Sequence, residues 1–285
     1  MKEATAQEGM SKEFAENIVN RKFTGLKVLV EGNVPIASGL SSSSSFCVCS
    51  AFLSLHANKL EPWTHRQELI ERIIKYERMV GTACGGMDQS ISVLGVKQAC
   101  LYIQFKPIRS ETVILPSGYK FVIMNSLDES KKLETIGTRY NKRVCECKIA
   151  VRLLCKRLQL PNEICETWHI LKEVQDYLKL SLEAMSHLVD EFIEKKPYSR
   201  AELETLLECP LEVVLEDIHS SEIVMACNTE YRIHEAAKHV YEEADRVLKF
   251  IEVCSSTLPN KPKGTEISYF SRSIGKAYER KSAIV

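Results

Sequence analysis

Five consecutive serines, Ser41–Ser45, separate two segments of different periodicity. Before them, "LKVLVEGNVP" alternates apolar and polar residues; after them, "FCVCSAFLSL" has helical spacing. A flexible Ser-rich linker would lie on a polar, structureless background. Here the serines join a strand predicted over 26–31, with Leu26, Val28 and Val30 on one face, to a helix predicted from about Ser43 to Ala57. The first amides of a helix have no intrahelical partner and the helix dipole adds positive charge there, so a phosphate fits such a junction. Gly39 would let the backbone approach closely, and the hydroxyls could donate to phosphate oxygens or ligate a cation. No Lys stands where a Walker loop requires one. Serine is also a favoured N-cap, and local context leaves both readings open.

Two more segments carry polar groups in informative places. A helix predicted from Thr64 to about Val80 opens on a capping-box pattern, Thr64 and Gln67. Its apolar stripe runs Ile70, Ile73, Ile74, and the next position on that face is Glu77. A carboxylate on a buried face is costly unless it is paired or binds a cation. A frayed helix end or an ordinary ion pair would also explain it. In "CGGMDQS", residues 84–90, two glycines permit an unusual backbone path and Asp88 falls at the start of the next helix. It is either a first-turn acid favoured by the dipole or an acid presented into a cleft.

At 285 residues and 45% hydrophobic, the chain can bury a sizeable core. Its 38 basic and 38 acidic residues balance, so neither nucleic acid nor an anionic membrane is an expected partner. The charged start "MKEATAQEGMSKEFAENIVNRKF" is not expected to be a signal peptide. The eleven cysteines include no C-x-x-C zinc pair and read as reduced, mostly buried thiols of a cytoplasmic protein. The seven histidines show no metal-ligand spacing.

Strands are predicted at "ACLYIQF", "TVIL" and "KFVIMN", the last two separated by the turn signal "PSG". From Thr138 the pattern is almost wholly helical: 139–158, 162–178, 181–195, 199–208, 211–218 and 230–255. The last carries the stripe Ile233, Ala236, Ala237, Val240, Ala244, Val247, Leu248 and Ile251. This predicts an α+β fold of two domains, 1–117 and 118–285, with an irregular tail over 256–285. A phosphate loop, a carboxylate suited to Mg²⁺ and a second acid in a glycine turn are together the parts for phosphoryl transfer to an alcohol.

"GNVPIASGLSSSSS" resembles the second motif of the GHMP kinases, P-x-x-x-G-L-[GS]-S-S-[SA]. "YERMVGTACGGMDQSIS" resembles the galactokinase acid segment, and "TRYNKRVCECKIA" the Y-x-x-R-x-x-E-C helix that follows it; "AKHVYEEADRVLKF" also recurs in that group. "ER", "GT" and "GGMDQS" together resemble the N-acetylgalactosamine kinases of this group more than ordinary galactokinases. The resemblance covers about residues 22–255. It implies an N-terminal domain like domain 2 of ribosomal protein S5, a helix-rich C-terminal domain, and a monomeric sugar 1-kinase that uses ATP and Mg²⁺. Its acceptor would be galactose or N-acetylgalactosamine, with an inactive pseudokinase or sugar sensor as the alternative. Gly39, Leu40, Ser41, Ser42, Ser43 and Ser44 would contact ATP phosphates, and Ser43 and Glu77 would hold Mg²⁺. Asp88 would be the catalytic acid facing the sugar, with Gly85 and Tyr140 in the sugar pocket. The family's first motif, R-x-N-x-I-G-E-H, and its last glycine loop have no match here. "SLDESKKLETIGTR", between Asn125 and Tyr140, also departs from the family pattern. The chain therefore reads as the middle of a kinase, from which little turnover is expected alone.

Overall fold

The computed structural model describes residues 25–61, 65–97, 99–105, 107–116, 122–124, 134–218 and 220–256. Three helices come first: α1 (Ser42–Ala57), α2 (Arg66–Arg78) and α3 (Met87–Leu94). They pack through Val48, Leu69, Ile70, Ile73, Ile74 and Val93, which with Ile108 form one apolar cluster. The strands β1 (Ala99–Phe105) and β2 (Ile108–Ile114) pair antiparallel in the register Ala99↔Ile114 to Phe105↔Ile108. Gln67 Nε2 donates to the Ile108 carbonyl at 3.2 Å, tying α2 to this hairpin.

A π-helical turn, Ile136–Tyr140, leads into α4 (Asn141–Arg157). Around α4 lie α5 (Asn162–Cys165), α6 (Leu171–Leu178), α7 (Leu182–Phe192), α8 (Arg200–Leu207), α9 (Leu211–Val214), α10 (Ser221–Cys227) and the long α11 (Ile233–Ser255). The bridges β3 (Tyr198–Ser199) and β4 (Glu230–Tyr231) pair antiparallel. These elements share a second core, with Ile149, Leu153, Leu154, Met185, Leu203, Tyr231 and Tyr241 among its most deeply buried members. The described residues are thus α+β, with helix predominating.

Several sequence expectations are corrected. Residues 26–31 form no strand, and Leu26, Val28, Leu29 and Val30 are exposed. Alternation shows which residues could share a face, but a strand needs a hydrogen-bonded neighbour. Among the described residues, both sheets are two-stranded and neither includes this segment. The same holds for 122–124 of the expected "KFVIMN" strand, where Val122, Ile123 and Met124 are exposed. The rest of that strand, most of "PSG", Thr64 and the tail from 257 lie outside the described residues.

The helix expected over 162–178 is two helices, because side chains take over the backbone groups at the break. Arg152 donates to the carbonyls of Cys165 (2.8 Å) and Glu166 (3.1 Å), while Glu173 Oε2 accepts from the amides of His169 (2.6 Å) and Ile170 (2.8 Å). The helix expected over 211–218 stops at Val214, and α10, which periodicity missed, follows at Ser221. The apolar stripe of α11 is buried only at its start: Ile233, Ala236 and Ala237 are inside, whereas Val240, Val247 and Leu248 are exposed.

Candidate functional site

The serine loop reaches α1 through a backbone that is left-handed at alternate residues, Ala37 (φ 56°), Gly39 (φ 74°) and Ser41 (φ 58°). Ser41 precedes the helix without a side-chain cap bond, and the first backbone bond into the helix is Ser45 N–H to the Ser41 carbonyl at 3.0 Å. The amides of the first turn therefore face out of the helix end with its dipole behind them. Gly39 and Leu40 are exposed beside them, Ser41 and Ser42 are half-buried, and Ser43 is exposed.

The hydroxyls of this loop are mostly committed. Ser43 Oγ donates to Glu77 Oε1 at 2.9 Å, and the buried Ser44 Oγ donates to the same oxygen at 3.0 Å. Ser45 Oγ turns back onto the Ser41 carbonyl at 3.0 Å. Glu77 lies near the end of α2 and is buried, 7% exposed, on the face shared with Ile70, Ile73 and Ile74. Its other oxygen, Oε2, accepts from Gln89 Nε2 at 2.5 Å. The frayed-end and surface-ion-pair readings of Glu77 are thereby set aside: its carboxylate is held by three neutral donors under the serine loop. Its charge, together with burial, raises the thiol pKa values of the neighbouring Cys47 and Cys84, burial being the larger cause, so both stay protonated.

Asp88 sits half-buried in the first turn of α3, one residue from Gln89. The glycine turn before it is required: Gly86 has φ 103°, and a Cβ there would collide with Ile74 Cδ1. Gly85 is exposed, and a Cβ on it would meet nothing within 4 Å, so the space above it is open. Tyr140 ends the π-helical turn, half-buried. Its phenol pKa is pushed well up, first by burial and then by the neighbouring Cys84, Asp88 and Glu77, with Arg78 opposing. The fold therefore brings Glu77 and Asp88 within electrostatic reach of Tyr140.

Three residues that sequence reasoning missed build the frame. Arg78 donates twice to the Cys84 carbonyl, from Nε at 2.9 Å and Nη2 at 2.7 Å, folding the glycine segment back onto the end of α2. Asn141, fully buried, donates from Nδ2 to the Gly81 carbonyl at 2.8 Å and accepts the Ala83 amide at 3.0 Å. Gln89 holds Glu77. Only Gln89 left a legible signal, as a polar residue four before Val93 on the buried face of a short helix.

The donor set suits a hard cation. Mg²⁺ usually takes one or two carboxylates and fills its remaining positions with water and substrate phosphates. Glu77 Oε1 and the exposed Ser43 hydroxyl are such oxygens, beside a helix end suited to phosphate. Among the described residues no cluster of three or more His, Cys, Asp or Glu could hold a metal by itself. No helix among them is long and apolar enough to cross a membrane.

Comparison with known proteins bears on what this site belongs to. The model of the GHMP kinases N terminal domain matches residues 7–96, which include the serine loop, Glu77 and Asp88. A galactokinase of Dictyostelium discoideum is 36% identical over 235 residues, covering 82% of this chain and 46% of the relative. A galactokinase of Candida albicans is 34% identical over 262 residues, covering 85% and 51%. Across most of its length the chain is similar to the galactokinase group of the GHMP kinases. Another galactokinase similar to this chain, from Saccharomyces cerevisiae, is 29% identical over 274 residues, 85% of the chain and 51% of the relative. The chain spans about half the length of the curated relatives it matches.

Proposed function

We propose that the chain serves ATP-dependent phosphorylation of a sugar at its C1 hydroxyl. The relatives, named galactokinases, make galactose the first acceptor to test, with N-acetylgalactosamine beside it. The observation that carries this reading is the burial of Glu77 against Ser43 at the N-terminus of α1. A buried carboxylate whose partners among the described residues are neutral donors, placed where phosphate would bind, is what a cation–nucleotide site needs.

In this reading the ATP phosphates lie on the amides of the loop Gly39, Leu40, Ser41, Ser42, Ser43 and Ser44. Ser43 and Glu77 hold Mg²⁺, which when bound neutralises phosphate charge. Asp88 orients the sugar hydroxyl and accepts its proton as the oxygen bonds to the γ-phosphorus and ADP leaves. Gly85 supplies open space for the sugar, and Tyr140 closes the pocket with a phenol that stays protonated. The two separate cores support a division into domains near residues 117 and 118.

Nucleotide binding is the primary readout. The chain should bind ATP more tightly with Mg²⁺ than in EDTA. Asp88→Ala should leave that gain intact and, in a full-length protein that contains this chain, abolish formation of sugar 1-phosphate. Absence of any Mg²⁺-dependent gain in the wild-type chain would overturn the metal assignment, and wild-type turnover in Asp88→Ala would remove Asp88 from the mechanism.

A further inference from the structure

Gln89 is 1% exposed, on the buried side of α3, and its two amide atoms are treated very differently. Nε2 donates to Glu77 Oε2 at 2.5 Å and lies 3.7 Å from Cys84 Sγ. Oε1 is buried with no hydrogen-bond partner. A buried side-chain amide ordinarily satisfies both ends. This one leaves its acceptor unmatched so that its donor can meet a carboxylate. The opposite orientation would set the Gln89 oxygen against the Glu77 oxygen, acceptor on acceptor.

We propose that Gln89 is a positioning residue for divalent-cation-dependent nucleotide binding, acting through Glu77. Glu77 has two oxygens and two tasks. Oε2 is fixed by Gln89, and Oε1 is thereby turned toward the Ser43 and Ser44 hydroxyls at the phosphate loop. Among the described residues Gln89 is the donor on Oε2, and without it the carboxylate can rotate away from the geometry that the Ser43 side requires. Hydrogen bonds of this supporting kind orient a metal ligand and hold its charge, and losing one typically costs about 10–100-fold in metal affinity. The assignment rests on the proposed role of Glu77, and its test separates the two.

The experiment compares ATP binding to the 285-residue chain with Mn²⁺ and with EDTA, for wild type, Gln89→Met and Gln89→Asn. Methionine keeps the unbranched shape without a donor; asparagine keeps the amide one carbon shorter. Gln89→Met should lose about 10–100-fold of the Mn²⁺-dependent gain while its affinity in EDTA stays as in wild type. Gln89→Asn should recover part of that loss. A residue that merely supports the core would lower both affinities together or neither. A wild-type gain that Gln89→Met retains overturns the proposal for Gln89 alone. A wild-type chain with no Mn²⁺-dependent gain overturns the role of Glu77, and that of Gln89 with it. Should Gln89→Met fail to fold, the Gln89→Asn pair of affinities decides: an undiminished gain overturns the proposal, a selectively reduced one supports it.

Discussion

At the scale of single residues, Glu77 shows how position and partners together assign a role. Its place after Ile70, Ile73 and Ile74 made it an anomaly in an apolar stripe, and an anomaly has several explanations. The partners decide among them. Ser43, Ser44 and Gln89 are neutral donors, which stabilise a carboxylate without neutralising it. An ion-paired glutamate would have its charge neutralised within the protein; the neutral partners of this one leave its charge uncompensated, as the proposed cation site requires. Glu77→Gln preserves volume and removes the charge. It should abolish most of the Mg²⁺-dependent gain in ATP affinity, a loss at least as large as the about 10–100-fold typical of residues that only support a metal ligand. Titration calorimetry with and without Mg²⁺ reads this directly, and an unchanged gain would show that Glu77 is structural.

At the scale of elements, the amphipathic helices were legible and the boundaries between them were not. Helix α1 begins within one residue of its predicted start, because the serine run ends one periodicity and a new one begins. The break between α5 and α6 was hidden, since Arg152 and Glu173 act on backbone groups that apolar spacing does not report. Strands were misread where alternation existed without a partner, as at 26–31. Of the site, Glu77 and Asp88 could be found as polar residues in unusual places, whereas Arg78 and Asn141 act through carbonyls and amides distant in pattern. The turn before α3 illustrates what the pair of glycines meant. Gly85 stands in open space, but Gly86 combines positive φ with the Ile74 side chain against its α-carbon. Gly86→Ala should therefore cost about 1–3 kcal/mol in strain, lower the melting temperature and displace Asp88, while Gly85→Ala should leave stability nearly unchanged. Thermal unfolding of the two variants side by side checks this; equal melting temperatures would contradict the assignment of the strained position.

At the scale of the whole molecule, polar links join elements that are distant in the sequence. Asn141 joins the first turn of α4 to the segment between α2 and α3 with both ends of its amide. Asn141→Ala would leave the Gly81 carbonyl and Ala83 amide without that partner, at about 2 kcal/mol, and loosen Tyr140 beside it. A larger link joins α7 to α11. Asp190, at 27% side-chain exposure, accepts from Lys238 and from His234 Nε2 at 2.7 Å, and Lys195 lies 3.2 Å away. These donors, Lys238 foremost, hold its carboxyl well below the usual aspartate range. A depressed folded-state pKa contributes stability that is present above the unfolded value, about 3.9, and is lost as pH falls through the folded one. Asp190→Asn removes that contribution and leaves Lys238, Lys195 and His234 facing one another. The variant should melt below wild type at pH 7, and the gap should narrow as pH falls below about 4, where the wild-type carboxylate begins to lose its advantage. Melting curves for both proteins from pH 7 to pH 3 read the difference, and a gap that stays constant across that range would mean that the Asp190 charge is not what holds α7 against α11.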